Sequence, residues 1–587
     1  MRARPRRRAV VAGSLASVLV LVSSAGWSAH LGLSARDHLE ATRDALVHLR
    51  AVMSARDLDR MAVTLADAHR HASEARRLTS GPDWSLITYL PMVGDGATTV
   101  RGLAETAAEI TDVLTRVQRT GTSLFTAGSG STDDARQLLD GLRAAAPVLD
   151  GAAARLTQAR GRLMTTPART GVASLDQARG TALYELDRLR RWIGGAATAA
   201  NLIPPMLGND GPRRYFLAFQ TNAESRGTGG LVGAFGILEA DHGRIGVKRL
   251  AANTGLGRSP HPVADHGQAF RARYGPGAVE LLSVSNLSPH FPYAAKTWTA
   301  LWERQTGLRL DGAIAIDPVG LSYLLGLIGP VTLPGGEQVT ASNVVDLTER
   351  TAYARFTDPV ARKRFLISIA GAVSEALPQS FAEPSRVLPV LKPMVAERRL
   401  QIWSRHDAEQ RRLSATALGG VLPRQPGPYA GLVVNNSAGG KLDYYLNRSL
   451  EYELGPCRDG RRSTSVRIKL TNDVPDVALP SYVTGPLDTP GRSHGPGSNL
   501  LWVSLYAGVG SELTRAQLDG RPLTAIKESE RSHPVYSAML ELAPRQSRTL
   551  TFDLVEPVSA EPPAIPVQPL VRPQQNRVID SRQGCAP

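Results

Sequence analysis

Residues 215–250, YFLAFQTNAESRGTGGLVGAFGILEADHGRIGVKRL, determine the fold class of the central part of the chain. Apolar, aromatic and β-branched residues are concentrated in Tyr215–Gln220, Leu231–Ala240 and Arg244–Leu250, which predicts three strands. His242 and Gly243 fit a tight turn between the last two strands. Further along, residues 311–316 (DGAIAI) predict a short buried strand, and Pro318 fits the first position of a helix. Strands and helices therefore alternate, which indicates a mixed α/β domain over residues 201–425.

The regions on either side have different patterns. Residues 31–200 predict an antiparallel helical bundle or stalk, because apolar residues recur at alternating spacings of three and four from Val100 to Val117 and from Leu142 to Leu163. Residues 426–560 contain short strand-like runs separated by Gly and Pro, which favours a β-sandwich. Residues 561–587 predict an extended, Pro-rich tail.

The N-terminus predicts a membrane anchor. Residues 1–8 carry five arginines, and residues 9–29 contain no ionisable side chain. A helix of that length would span roughly 31 Å, close to the apolar thickness of a bilayer. The arginines predict that residues 1–8 are a cytoplasmic tail. A cleaved signal peptide is the alternative interpretation.

Together these segments predict a multidomain α+β protein of the cell membrane. It would be single-pass, with a cytoplasmic N-terminus and a transmembrane helix over 9–29. The bundle, the mixed α/β core and the C-terminal β-sandwich would be extracytoplasmic.

Charge and composition narrow the possible partners. The 587 residues carry a formal net charge of +15, and outside the cytoplasm anionic polymers and lipid phosphates are the available partners, whereas nucleic acid is not. A solvated, arginine-rich surface is the alternative. Signatures of nucleotide-binding loops, zinc proteases and serine hydrolases are absent from the sequence.

Two clusters carry the candidate binding residues. In residues 222–230 (NAESRGTGG), glycines would let backbone N–H groups approach an anion, Arg226 could clamp a phosphate, and Glu224 could hold a divalent cation. A structural Glu224–Arg226 pair at a strand corner is the alternative. The second cluster contains Arg355, Arg362 and Arg364 beside a helix start at Asp358-Pro359, and a solvated basic helix start is its alternative.

The same residues carry a resemblance to known families. Six segments resemble the signature of the domain of unknown function 4012, a bacterial family of membrane-anchored proteins. They are residues 222–233, 90–94, 288–292, 311–318, 329–331 and 441–446. A second resemblance is to the second half of LytR-CpsA-Psr proteins. It lies in the order of Asp311 to Asp317, residues 329–331, residues 352–355, Arg362 and Arg364. That similarity implies a related α/β core. It also implies transfer of glycopolymers from polyprenyl pyrophosphate lipids to the cell wall, with arginines and a magnesium-binding carboxylate.

Two functional hypotheses follow. The first is a non-catalytic envelope protein at the cytoplasmic membrane that binds or assembles polyprenyl-linked or cell-wall anionic glycopolymers. The second is a phosphotransferase in which Arg226, Arg355 and either Arg362 or Arg364 neutralise a pyrophosphate, while Glu224 or Asp317 holds Mg²⁺. The second hypothesis requires these groups to converge on one cleft.

The two cysteines, Cys457 and Cys585, predict a disulfide if the compartment is oxidising. Two unpaired thiols are the alternative.

Overall fold

The computed structural model describes residues 31–49, 58–125, 132–377, 384–476, 479–485 and 494–581. The chain divides into two compact units, Met1–Asp210 and Gly211–Pro587.

The first unit is helical in its described part. Small and branched apolar residues form its core, including Val113, Ala152, Leu156 and Ile193, each at most 5% exposed. Alanine at such positions leaves room for a neighbouring helix to pack closely. The helices are α1 (31–49), α2 (Leu58–Ser80), α3 (Pro82–Ile87), α4 (Gly94–Phe125), α5 (Thr132–Met164) and α6 (Ala173–Met206).

The predicted membrane architecture is corrected by the structure. Among the described residues, no helix combines the length and the apolar character needed to cross a bilayer. Helix α1 carries charged side chains throughout, such as Arg36, Glu40 and Asp44, which a membrane interior would penalise. The predicted span at 9–29 lies outside the described residues. The predicted fold class and the single-pass localisation are therefore wrong for the described chain, which is a mixed α/β protein.

A five-stranded sheet begins the second unit. Its strand order is β3-β2-β1-β4-β7, in which β1 and β4 are parallel and the other neighbours are antiparallel. Successive side chains of β1 point to opposite faces, so Phe216 and Leu217 belong to different apolar cores. The strands of this region are β1 (Arg213–Arg226), β2 (Gly229–Asp241), β3 (Arg244–Ala252), β4 (Gly312–Ile316), the small hairpin β5 (Val331–Thr332) and β6 (Gln338–Val339), and β7 (Leu400–Ser404).

Helices pack on both faces of this sheet. The core with Phe216 includes Trp298 of α8, and the core with Leu217 includes Leu324 of α9 and Ile369 of α12. A π-helical segment, Leu347–Thr351, joins α10 to α11. The helices are α7 (Gln268–Tyr274), α8 (Phe291–Thr306), α9 (Pro318–Ile328), α10 (Val344–Asp346), α11 (Ala352–Arg355), α12 (Pro359–Ala376), α13 (Pro384–Ala396) and α14 (Asp407–Ser414).

Two further sheets share one apolar core. One has the strand order β13-β12-β16-β10-β9-β17 and the other β14-β15-β11-β8. Leu432 and Leu505 from the smaller sheet and Val466 and Phe552 from the larger one are all at most 1% exposed in that core. The elements are β8 (Ala430–Asn436), β9 (Leu446–Arg458), β10 (Arg461–Asn472), α15 (Ser481–Thr484), β11 (Asn499–Ala507), β12 (Glu512–Leu518), β13 (Arg521–Pro522), β14 (Ile526–Glu530), β15 (His533–Leu542), β16 (Ser547–Pro557) and β17 (Gln575–Asp580).

The C-terminal segment is an integral part of this unit. The buried amide of Gln568 donates from Nε2 to the carbonyls of Val434 and Arg226, both at 2.7 Å, and accepts from the Val434 N–H at 2.9 Å. Strand β17 then pairs in parallel with β9, so that Asp580 lies opposite Leu454. The Pro-rich tail therefore connects the end of β1 to both later sheets.

Candidate functional site

The glycine-rich stretch 222–230 forms a close-packed strand corner. Strand β1 continues to Arg226, where it pairs with Gly229 of β2. A Cβ atom on Gly227 would overlap the Leu287 carbonyl, and one on Gly230 would overlap the Thr221 carbonyl. The absence of a side chain at these positions is therefore required for packing against backbone. This favours the structural interpretation of the stretch over a loop that cradles an anion.

The predicted pair Glu224 and Arg226 belongs to a buried ion triad. Arg226 Nη2 donates to Glu224 Oε1 at 2.6 Å, and Lys441 Nζ donates to Glu224 Oε2. Each of the three residues is at most 6% exposed. Burial acts to raise the pKa of Glu224, but Lys441 and then Arg226 outweigh it and hold the pKa below its ordinary value. Glu224 is therefore ionised and fully engaged by two cations.

The remaining donors of Arg226 are also engaged. Its Nε donates to the Ser283 carbonyl at 3.2 Å, and its Nη1 donates to the Ser225 carbonyl at 2.8 Å. Next to it, the fully buried Asp443 accepts from the Ser225 N–H and from the side-chain amides of Asn436 and Asn499, at 2.7–2.9 Å. Arg226 thus stabilises the corner and has no exposed face to offer a pyrophosphate.

The three arginines of the second cluster do not share a site. Arg355 pairs with Glu337 at 2.7 Å on the protein surface. Arg362 is buried, lies 4.0 Å from the centre of the Tyr482 ring and donates to the Phe356 carbonyl at 3.1 Å. Arg364 is exposed. The convergence that the phosphotransferase hypothesis requires is therefore not seen among these residues.

Arg362 is connected to the ion triad through an aromatic ring that both Arg362 and Lys441 contact. Its guanidinium lies 5.4 Å from the centre of the Tyr353 ring, and Lys441 Nζ lies 5.8 Å from the same centre. Tyr353 and Tyr482 stack with a centroid separation of 6.0 Å. Two buried cations therefore flank one pair of aromatic rings. The electron-rich faces of these rings stabilise the positive charges.

The residues predicted to hold Mg²⁺ do not form a metal site. Asp317 Oδ1 caps α9 by accepting from the Gly320 N–H at 2.7 Å, and its Oδ2 accepts from Arg399 Nη1 at 2.8 Å. Glu224 is already occupied by its two cations. In the described part of the chain, no three or more His, Cys, Asp or Glu side chains are arranged to hold a metal ion. The donor set therefore does not fit Mg²⁺.

A buried carboxyl that the sequence did not single out lies beside the triad. Glu349, in the π-helical segment, accepts at Oε2 from the Ala223 N–H at 2.6 Å and from the Thr221 hydroxyl at 2.8 Å. Its Oε1 is buried without a hydrogen-bond partner. Burial raises the pKa of Glu349 to about 7, against an ordinary value of 4.5.

The raised pKa of Glu349 predicts that the free energy of unfolding depends on pH. Because the pKa of Glu349 is raised in the folded state, the protonated carboxyl stabilises the fold relative to the ionised one. Its contribution to the free energy of unfolding is fully present below pH 4.5 and is lost as the pH rises through 7. The loss amounts to about 3 kcal/mol above pH 7. We expect Glu349→Gln to gain about that much stability relative to the wild type between pH 4.5 and pH 8, as measured by urea unfolding. An unchanged difference between the two proteins across this range would contradict a neutral Glu349.

Several cations lie on or beside the edge strand of the five-stranded sheet, among them Arg249, whose guanidinium lies 5.2 Å from the centre of the Trp302 ring of α8. We call this group the basic strip, and it consists of the half-buried Lys363 and four exposed residues, Arg244, Lys248, Arg249 and Arg364. Arg244, Lys248 and Arg249 lie on the edge strand β3, where Lys248 occupies a bulge opposite Ile237 and Leu238. Lys363, at the start of α12, donates to the Thr254 hydroxyl at 3.3 Å just beyond β3. No carboxylate among the described residues forms an ion pair with any cation of the strip.

Lys441, Asp443 and Glu349 are site residues that sequence reasoning missed. Lys441 and Asp443 lie within residues 441–446, which carry a family resemblance and no recognisable catalytic motif. Their polar character inside an otherwise strand-rich region was the available signal. Glu349 had no local signal, because its burial depends on contacts with Thr221 and Ala223.

The predicted Cys457–Cys585 disulfide remains a prediction, because Cys585 lies outside the described residues. The strand pairing supports it. β17 and β9 run in parallel, and the Ser581 N–H donates to the Leu454 carbonyl at 3.0 Å. Cys457 follows Leu454 by three residues and Cys585 follows Ser581 by four in the sequence.

Comparison with known proteins finds a family model that matches part of the chain. Residues 210–353 match the family model described as "Protein of unknown function (DUF4012)". This match supports the DUF4012 family for the segment that contains β1 to β6 and Glu349. No curated protein and no solved structure matches the chain. The resemblance to LytR-CpsA-Psr proteins is not shown by any of these comparisons.

Proposed function

We propose that the Gly211–Pro587 unit binds an anionic glycopolymer along the basic strip, without catalysis. The observation that carries the proposal is the set of five cations, none of which forms an ion pair with a described carboxylate, although Asp358 lies near enough to Arg364 for an electrostatic interaction. Elsewhere in the described unit, many surface arginines have acidic partners, for example Arg515 with Asp553 and Arg545 with Asp473. A group of surface cations without ion-pair partners attracts polyanions.

The shape of the strip supports a polymer over a small anion. Strand β3 contains nine residues, which corresponds to about 30 Å at roughly 3.3 Å per residue. α12 packs beside it, since a Cβ atom on Gly371 would lie 3.6 Å from Leu250. Cations spread over such a length fit several anionic groups of one chain. An edge strand also presents backbone N–H and C=O groups, which suit the hydroxyls of a sugar polymer.

The phosphotransferase alternative has less support. It needs free arginines and a metal-binding carboxylate in one cleft, whereas Arg226 and Glu224 are joined in a buried triad and Arg355 pairs with Glu337. Of the two cations at the start of α12, Arg364 belongs to the basic strip, whereas Arg362 is buried against Tyr482.

The test compares polymers of matched length. Full-length protein is titrated with dextran sulfate, neutral dextran and poly-L-glutamate, with binding followed by calorimetry. We expect dextran sulfate to bind, neutral dextran not to bind and poly-L-glutamate to bind more weakly. The paired change Lys248→Glu and Arg364→Glu should weaken dextran sulfate binding by about tenfold or more, because each reversal replaces attraction by repulsion at close range.

A matched control distinguishes the effect of the basic strip on binding from the effect of the protein's net charge. Lys469→Glu with Arg521→Glu alters the net charge by the same amount at two exposed positions of the six-stranded sheet. This control should retain wild-type binding within about twofold, since its positions lie outside the strip. Equal losses in both double variants would reduce the interaction to net charge and refute the strip, and equal affinity for dextran and dextran sulfate would refute an anionic ligand.

A further inference from the structure

The end of α3 and the link from α3 to α4 expose an unusual concentration of apolar side chains. The exposed fractions are 70% for Leu86, 86% for Tyr89, 53% for Leu90, 97% for Met92 and 51% for Val93. Isolated apolar residues are common on protein surfaces, but a contiguous group of this kind marks an interaction site. We call these five residues the apolar loop.

A firmly held base supports this loop. Trp84, 4% exposed, donates from Nε1 to the Ala97 carbonyl at 3.1 Å and so ties α3 to α4. Gly94 closes the turn by donating its N–H to the Leu90 carbonyl at 2.9 Å. Met92 adopts a positive φ of 71°, which turns the loop sharply at its most exposed residue. The side chains are therefore presented by a defined turn and not by a frayed end.

The start of α1 lies beside the same base. A Cβ atom on Gly32 would lie 3.9 Å from the Trp84 ring, and Leu33 is 60% exposed. The preceding residues 9–29 contain no ionisable side chain. Ala29 precedes Gly32 by three residues, so the chain between their Cα atoms spans at most about 11 Å. The apolar run is therefore joined to the base of the apolar loop by a short piece of chain.

We propose that the apolar loop is a docking site for the apolar segment 9–29 of the same chain. Both partners are apolar, the chain connects one to the base of the other, and joining them removes both from water. The length and continuity of the chain select this occupant, because no other apolar run of that length exists in the sequence. The proposal is independent of polymer binding by the basic strip.

Site-specific photo-crosslinking in the full-length protein tests this docking. Tyr89→p-benzoylphenylalanine places the probe on the loop, and Val63→p-benzoylphenylalanine places it at an apolar position on α2 that is 72% exposed. In detergent-free buffer, we expect an intramolecular cross-link from position 89 to residues 9–29, located by fragment-ion mass spectrometry, and none from position 63. Met92→Asp should reduce the cross-link from position 89, and Val63→Asp should not.

Other occupants give different results. A cross-link that joins two chains would assign the loop to a second copy and overturn the proposal. A probe at position 89 that reaches no residue of 9–29 would leave the loop for a partner outside this chain, and would overturn it as well. The Val63→Asp variant shows whether a new surface charge alone changes the yield.

Discussion

Gly230→Ala is expected to prevent the Gly211–Pro587 unit from folding stably. The added Cβ would overlap the carbonyl oxygen and carbon of Thr221 and the backbone nitrogen of Asn222. All three are backbone atoms of the paired strand, so no side-chain rotation relieves the overlap. We expect a loss of more than about 4 kcal/mol in the free energy of unfolding, measured by urea denaturation.

Gly326→Ala is the matched control for this substitution. Gly326 lies inside α9 and is exposed, and a Cβ atom added to it would meet no other atom within 4 Å. Alanine there should raise the stability by up to about 1 kcal/mol, because glycine is a poor helix former. Wild-type stability of Gly230→Ala would show that the corner is loosely packed, and would return residues 222–230 to the role of an anion-binding loop.

Glu224→Gln is expected to lower the free energy of unfolding by about 3–5 kcal/mol, because it leaves two buried cations without their shared carboxylate. The amide keeps the shape of the side chain, so packing is nearly unchanged. Both Arg226 and Lys441 are buried, and neither gains water when the charge of residue 224 is removed. Urea unfolding at neutral pH measures the effect.

Two comparisons show whether the loss comes from the triad. Arg515→Met breaks an exposed pair with Asp553 and should cost less than about 1 kcal/mol. Adding Lys441→Met to Glu224→Gln should cost less than it does in the wild type, since the lysine has already lost its partner. Strict additivity of the two changes would mean that Lys441 and Glu224 do not stabilise each other.

Local sequence pattern locates the strands of the central sheet but not their full extent. The run Tyr215–Gln220 predicts a strand, and β1 in fact continues to Arg226. Residues 221–226 are polar except for Ala223 and resemble a loop, because strand patterning assumes one apolar face. Hydrogen bonds with Glu349, Lys441 and Asp443 compensate the burial of the polar groups in this segment. Those partners are more than a hundred residues away in the sequence. Such long-range compensation has no local signature.

The candidate residues are easier to find than their roles. Glu224 and Arg226 stand out correctly as an unusual pair, yet a sequence does not show whether a carboxylate already has two cationic partners. Arg364 is recognisable as a basic residue, whereas its position relative to the cations of β3 depends on how α12 packs beside that strand. The predicted membrane anchor rests on residues 9–29, while the described helix α1 is charged along its length.

Binding of an anionic polymer by the basic strip is tested most directly by its dependence on salt. The association constant for dextran sulfate is measured from about 50 to 200 mM NaCl for the wild type and for the Lys248→Glu, Arg364→Glu double variant. Release of counterions by the strip predicts a linear fall of log K with log salt, and a shallower slope in the variant. Identical slopes for the two proteins, or binding that does not change with salt, would contradict polymer binding by the strip.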